Sequence, residues 1–261
     1  MTPQTSAPSA RPRLWQVDAL RGLALLNMLG YHAMYDWVYV FGHESAWYDI
    51  WSPGCHVWQQ YICWSFLLLS GFSLVMARRP VKNGLLVAGC ALVLTGVTVT
   101  VMPSEQILFG VLHLNACAVL LTCLLRPLWQ RVPPLAGLGA SAALFALTNQ
   151  LPNGFLGFET LRLLPLPAAW YRPNLFWLGL PDLTRFYSAD YFPLLPWLFL
   201  FWCGYFLARL LQNRLRGWMG AAPGALRVLC AVGRRTLLLY MLHQPVIFGA
   251  LWVVDALVRR G

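Results

Sequence analysis

Long apolar runs alternate with short polar or aromatic connections along the whole chain. The runs lie at about 19–40, 57–77, 84–102, 107–125, 135–151, 191–211 and 236–257. A run of roughly 18 or more apolar residues is long enough to cross a bilayer as a helix. The pattern therefore predicts an all-α, polytopic membrane protein with about seven transmembrane helices in one bundle. The fifth run is short and weakly apolar, which leaves six as the alternative count. A further helical piece is expected near 222–232. Residues 1–12 open with the polar stretch MTPQTSAPSA and read as a disordered cytoplasmic tail. No early apolar stretch and cleavage site mark a signal peptide, so the first helix is expected to stay in the mature protein. Residues 13–261 then form a single transmembrane domain.

The first run departs from a simple anchor. With each helical residue turning by about 100°, Asp18, His32 and Asp36 fall within roughly 60° of Arg21. Leu25 and Met28 fill the stripe between them. Ionisable groups at membrane depth face a protein interior or a water-filled cavity. His32 stands about 16 Å along the axis from Arg21, near mid-bilayer. Asp36, one turn further, is placed to orient the imidazole and raise its basicity, an arrangement that suits a general base. The structural alternative is a polar clamp between helices.

Composition sharpens this picture. Of the 261 residues, 59% are hydrophobic and 11% charged, well below the charge density of a soluble domain. The net charge of +10 does not indicate nucleic acid, because the arginines sit at the ends of apolar runs and no reading motif is present. Most of the nineteen basic residues fall on one side if the N-terminus is cytoplasmic, as the positive-inside rule requires. That bias supports seven spans with the C-terminus outside. The seven cysteines are scattered through apolar runs and suggest neither a disulfide framework nor a metal site.

Further candidates lie elsewhere. Arg21, Arg78 and Arg79 cluster near the cytoplasmic surface, where guanidinium groups suit phosphates but also serve as topology determinants. His113, inside the fourth run, fits a packing or a functional role. His243 and Gln244 precede Pro245, which lacks an N–H and loosens the last helix into a polar niche. Ser70, Gly71 and Ser73 read as small packing residues. The outer connection over about 152–190, rich in aromatic residues and proline, fits an interfacial segment or a lid over an outer pocket.

Several segments together resemble a known family. They are R-x-x-x-x-D-A-L-R-G at Arg13–Gly22, His32 with Asp36, F-L-L-L-S-G-F-S at 66–73, F-G-V-L-H at 109–113, D-Y-F-P-L-L-P-W at 190–197 and G-R-R-T-L-L-L-Y-M-L-H-Q-P at 233–245. In order and spacing they are similar to bacterial members of the heparan-α-glucosaminide N-acetyltransferase catalytic domain family. The resemblance implies a multi-spanning enzyme that takes an acetyl group from cytosolic acetyl-CoA and passes it to an acceptor across the membrane. The start of the chain also resembles membrane acyltransferases that acylate sugars, in which the residue matching His32 is catalytic. In the animal enzyme the proposed catalytic histidine instead matches His43.

These readings converge on an acetyl-CoA-dependent N- or O-acetyltransferase of the bacterial inner membrane. His32, Asp36 and His43 are its catalytic candidates, and Arg21, Arg78 and Arg79 would hold CoA. His113, Asp190, His243 and Gln244 would line a passage to a sugar or glycan acceptor outside. Membrane lipids are the expected surroundings, a metal is not expected, and a homo-oligomer is allowed but not required. The competing class is a proton-coupled transporter or lipid or glycan carrier, using the same buried pair as a relay; a non-catalytic scaffold is the third.

Overall fold

The computed structural model describes residues 14–259, so the expected tail over 1–12 lies outside the described residues. The fold is mainly helical. Its long helices are α1 (Trp15–Tyr35), α2 (Pro53–Leu74), α3 (Pro80–Val101), α4 (Val111–Leu124), α6 (Pro134–Thr148), α7 (Leu194–Leu210) and α10 (Thr236–Val258). Short helices α5 (Arg126–Arg131), α8 (Gln212–Trp218) and α9 (Arg227–Arg234) connect them. The seven long helices fall on the seven apolar runs, and α9 overlaps the extra piece expected near 222–232. By length and composition α3 and α10 can cross a membrane, while α4 and α7 are apolar but shorter.

Local chemistry explains several boundaries. Pro53, Pro80 and Pro134 occupy first helical positions, where a missing N–H removes no helical bond. The Ser52 hydroxyl accepts from the Cys55 amide at 3.2 Å, capping α2. At its C-terminal end α1 continues as a π-helical segment, Asp36–Val40, in which the Phe41 amide reaches back to the Asp36 carbonyl at 2.9 Å. Arg209 closes the inner end of α7 by donating to the carbonyls of Trp129 and Val132.

Helix α1 packs against α2, α9 and α10, α2 against α7, α7 against α6 and α4, and α3 against α4. Two crossings bring backbones into direct contact. A Cβ on Gly71 of α2 would stand 1.9 Å from the Phe201 carbonyl oxygen, and one on Gly204 of α7 would stand 2.1 Å from that of Leu68. Between α1 and α9, a Cβ on Gly22 would lie 2.2 Å from the Leu229 oxygen, and one on Gly233 would lie 1.8 Å from that of Asp18. Close approach of this kind is how helices associate where no hydrophobic drive exists between them. Outward faces are aliphatic, as at Leu85, Leu92, Val93, Leu238 and Val246. No residue of α10 is fully buried.

The all-α expectation needs one correction. Within the connection between α6 and α7, β1 (Phe155–Phe158) and β2 (Leu161–Pro165) form an antiparallel hairpin. Its reversal uses positive φ at Glu159, and Gly157 takes positive φ at the bulge beside Leu156, signals that an apolar-run count does not register. The tip is tied down rather than loose. Glu159 bonds His56 at 2.9 Å, and its amide donates to Asn149 at 3.0 Å.

The α2–α7 crossing yields a paired prediction. Gly204→Val should destabilise the detergent-solubilised protein by at least about 1–3 kcal/mol through overpacking. Gly89→Val, which meets no atom within 4 Å, should change stability by no more than about 0.5 kcal/mol. Thermal unfolding followed by size exclusion separates them, and equal melting of both variants would refute the tight crossing.

Candidate functional site

At the N-terminal end of α1 a cavity of about 1140 Å³ is lined by Asp18, Arg21, Ser73, Arg78, Arg79 and Asn83 among others. Arg21 donates to Asp18 at 3.1 Å and to the Ser73 hydroxyl at 2.7 Å. Ser73, which looked like a packing residue, is thus a partner of the arginine. Among the described residues three guanidinium groups and one carboxylate line the cavity, and the first turn of α3 borders it with the positive end of its dipole. The cavity suits an anionic, phosphate-bearing ligand.

About three helical turns further along α1 lies a second cluster. The His32 and His243 rings are 4.8 Å apart, tilted by 59°. Asp36, fully buried, accepts from the Gln244 amide nitrogen with both oxygens, at 2.9 and 3.0 Å. The expected role of Asp36 as the orienter of His32 is therefore not what the structure shows, because α10 offers a donor that meets both carboxylate oxygens. His243 bonds the Tyr240 carbonyl through Nδ1. Its Nε2 and the Gln244 Oε1 are buried and have no partner among the described residues.

His43 belongs to a different layer. Its Nε2 lies 2.7 Å from Asp255, and its ring stacks on Trp37 at 3.7 Å. Arg259 shares the same carboxylate at 2.8 Å and also bonds the Phe41 carbonyl. Along α10, Asp255 is about 18 Å beyond His243. The two histidine candidates of the sequence are thus kept apart, and Asp255 is a partner that the sequence reading missed.

His113 uses both ring nitrogens at the start of α4. The Gly110 amide donates to Nδ1 at 3.3 Å. Nε2 donates to the Thr95 hydroxyl at 3.1 Å, whose proton goes to the Ile107 carbonyl at 2.6 Å. It clamps a helix start and touches neither His32 nor His243 among the described residues. Asp190 accepts from the Val111 amide at 3.1 Å. Its loop is stitched to the 106–111 segment by Ala189 to Gln106 and Phe192 to Phe109 backbone bonds. Burial pushes its carboxyl up to about 6, against the lowering effect of the Val111 amide. The Tyr240 ring lies 5.2 Å from that of His243. Among the described residues no group of three or more His, Cys, Asp or Glu side chains is placed to hold a metal ion.

The model of the catalytic domain of heparan-α-glucosaminide N-acetyltransferase matches residues 13–245, most of the chain. The chain belongs to this family. Its matched span contains the inner arginine cavity, the His32–His243 pair and Gln244. Family membership points to acetyl transfer as the kind of reaction carried out. No curated protein and no solved structure shows a match to the chain.

The raised carboxyl of Asp190 gives a signed pH dependence. A carboxyl that holds its proton more tightly folded than unfolded loses stability as pH rises from the unfolded value, near 4, through about 6. Asp190→Asn removes that loss. The stability of the variant relative to the unsubstituted protein should therefore increase between pH 4.5 and 7. Thermal unfolding across that range tests this, and a variant that loses stability relative to the unsubstituted protein as pH rises would contradict it.

Proposed function

We propose that the chain is a transmembrane acetyltransferase moving an acetyl group from cytosolic acetyl-CoA to an amine or hydroxyl of a sugar-type acceptor on the outer side. The observation that carries this reading is the disposition of two sites on one rigid helix. Arg21, Arg78 and Arg79 surround a cavity large enough for a nucleotide. The His32–His243 pair stands about 16 Å further along α1, the direction in which the thioester arm of a bound donor would extend.

The reading includes seven spans, an N-terminus in the cytoplasm and residence in the bacterial inner membrane. Helices α1 and α10 support an odd number of spans. Their cross-contacts ascend together, from His32–His243 through Asp36–Gln244 to His43–Asp255, so the first and last helices run parallel. The aliphatic outward faces of α3 and α10 suit hydrocarbon. On the acceptor side, a groove of about 370 Å³ between α2 and the hairpin carries His56, Gln60, Tyr61, Trp64 and Glu159. Aromatic faces beside a few polar groups are a suitable surface for a sugar ring.

In this scheme the arginines neutralise the donor phosphates, and the imidazole layer removes a proton from the attacking group. A thioester needs no further energy source to acylate an amine. The protein has to provide a protected route and a base.

The test supplies radiolabelled acetyl-CoA and glucosamine to the purified protein. Release of CoA should depend on the acceptor. The double variant Arg78→Gln, Arg79→Gln should raise KM for acetyl-CoA about tenfold, the effect of losing one charge-assisted hydrogen bond, and leave KM for glucosamine unchanged. Added salt should raise the acetyl-CoA KM of the unsubstituted protein in the same direction. Uptake of glucosamine into vesicles without CoA release would instead identify a carrier.

A further inference from the structure

Two buried atoms in the middle layer lack partners in a way that specifies what they bind. The orientation of each is fixed by its neighbour. The Tyr240 carbonyl can only accept, so Nδ1 of His243 carries the proton and Nε2 presents a lone pair. The Asp36 carboxylate, when ionised, also only accepts, so the Gln244 NH₂ faces it and Oε1 faces away. Both Nε2 and Oε1 are buried with no donor among the described residues. Both residues also face the His32–Asp36 stripe of α1.

The layer therefore offers two acceptors and no donor from these residues. An acceptor left unpaired in this setting is destabilising. A phosphate, a carboxylate or a thioester carbonyl would bring only more acceptors. A hydroxyl brings one donor. A primary amine brings enough N–H groups for both atoms.

We propose that His243, through Nε2, is the catalytic base of the transfer reaction, and that Gln244, through Oε1, seats a second N–H of the attacking amine. This assignment rests on the acetyltransferase reading. It gives His32 the neighbouring wall of the site and makes Asp36 a positioning residue that acts through Gln244. The amine arrives as an ammonium, and His243 Nε2 takes one of its protons. The freed electron pair attacks the thioester carbonyl, a C–N bond forms and the C–S bond breaks. The thiolate leaves with the electron pair of the C–S bond and takes the second nitrogen proton as CoA thiol. The third remains on the product amide, and His243 returns its proton to water.

The test separates binding from transfer. Thermal unfolding of the full-length, detergent-solubilised protein is titrated with glucosamine and with glucose, without acetyl-CoA. Glucosamine should stabilise the protein at a concentration about tenfold lower than glucose does, reflecting one additional buried hydrogen bond. His243→Phe, which keeps a ring beside His32, and Gln244→Met, which keeps the side-chain length, should each weaken the glucosamine effect about tenfold. In the transfer assay His243→Phe should lower kcat by at least about a hundredfold, whereas Gln244→Met should act mainly on KM. If Gln244→Met does not fold, the His243→Phe arm decides alone. Equal or absent stabilisation by the two sugars, or a His243→Phe titration like that of the unsubstituted protein, would overturn the proposal. The stabilisation assay needs no acyl donor, so lack of CoA release would count against the acetyltransferase reading and not against the amine seat.

Discussion

The buried carboxylate of Asp36 is the constraint around which the rest of the interior is arranged. A carboxylate with no exposure, on a helix that is aliphatic around much of its circumference, must find its donors inside the protein. Gln244 supplies them to both oxygens. That contact fixes the height of α10 beside α1, and the His32–His243 and His43–Asp255 contacts on either side of it give the parallel sense. It also consumes the donor side of the glutamine amide, so what remains directed elsewhere is an acceptor. His243, the preceding residue, is thereby brought against His32. The chemistry of the middle layer follows from satisfying a single charge.

The glycine crossings do for backbone position what this pair does for register. Gly22 follows Arg21 directly, and its approach to α9 pins the segment that carries the arginine. Gly71 lies two residues before Ser73, so the α2–α7 crossing sets the depth of the hydroxyl that Arg21 bonds. Backbone-to-backbone contact tolerates little sliding, since a shift of a fraction of an ångström brings a carbonyl oxygen against a Cα. The inner cavity is thus bounded by two nearly incompressible joints. Its remaining wall, at Arg78 and Arg79, lies in the exposed turn between α2 and α3.

The apolar runs made the helices legible, because run length and helix length are set by the same rise per residue. The stripe on α1 was legible too, as a face. A helical wheel says which way a side chain points but not what it meets. The partner of Asp36 is 208 residues away and that of His43 is 212 away, beyond any local pattern. A local pattern therefore pairs Asp36 with the histidine nearest in sequence and gives no sign of Asp255. The role of His113 had a local signal in its place three residues after Gly110, at a helix start. The hairpin was hidden because it depends on backbone conformations at Glu159 in the turn and at Gly157 in the bulge, inside a connection whose aromatic residues and prolines carry no strand alternation.

Spacing along α1 explains why one helix can carry both ends of the proposed transfer and why the outer histidine stands apart. Arg21, His32 and His43 are equally spaced in sequence. Eleven residues at about 100° each come within roughly 20° of three full turns. Arg21 and His32 accordingly share a face, and the helix acts as a ruler between cavity and imidazole pair. A continued α-helix would have placed His43 on that face as well. At Asp36 the hydrogen bonding instead widens to the π pattern, and the helix ends at Val40. Gly42 then takes a positive φ, which carries His43 out of the stripe. The same sequence interval therefore gives two different outcomes on either side of Asp36. On the inner side it preserves alignment. On the outer side it releases His43 to stack on Trp37 and bond Asp255. Wide turns of this kind are found preferentially at functional sites, and here the wide turn begins at the residue whose charge organises the layer.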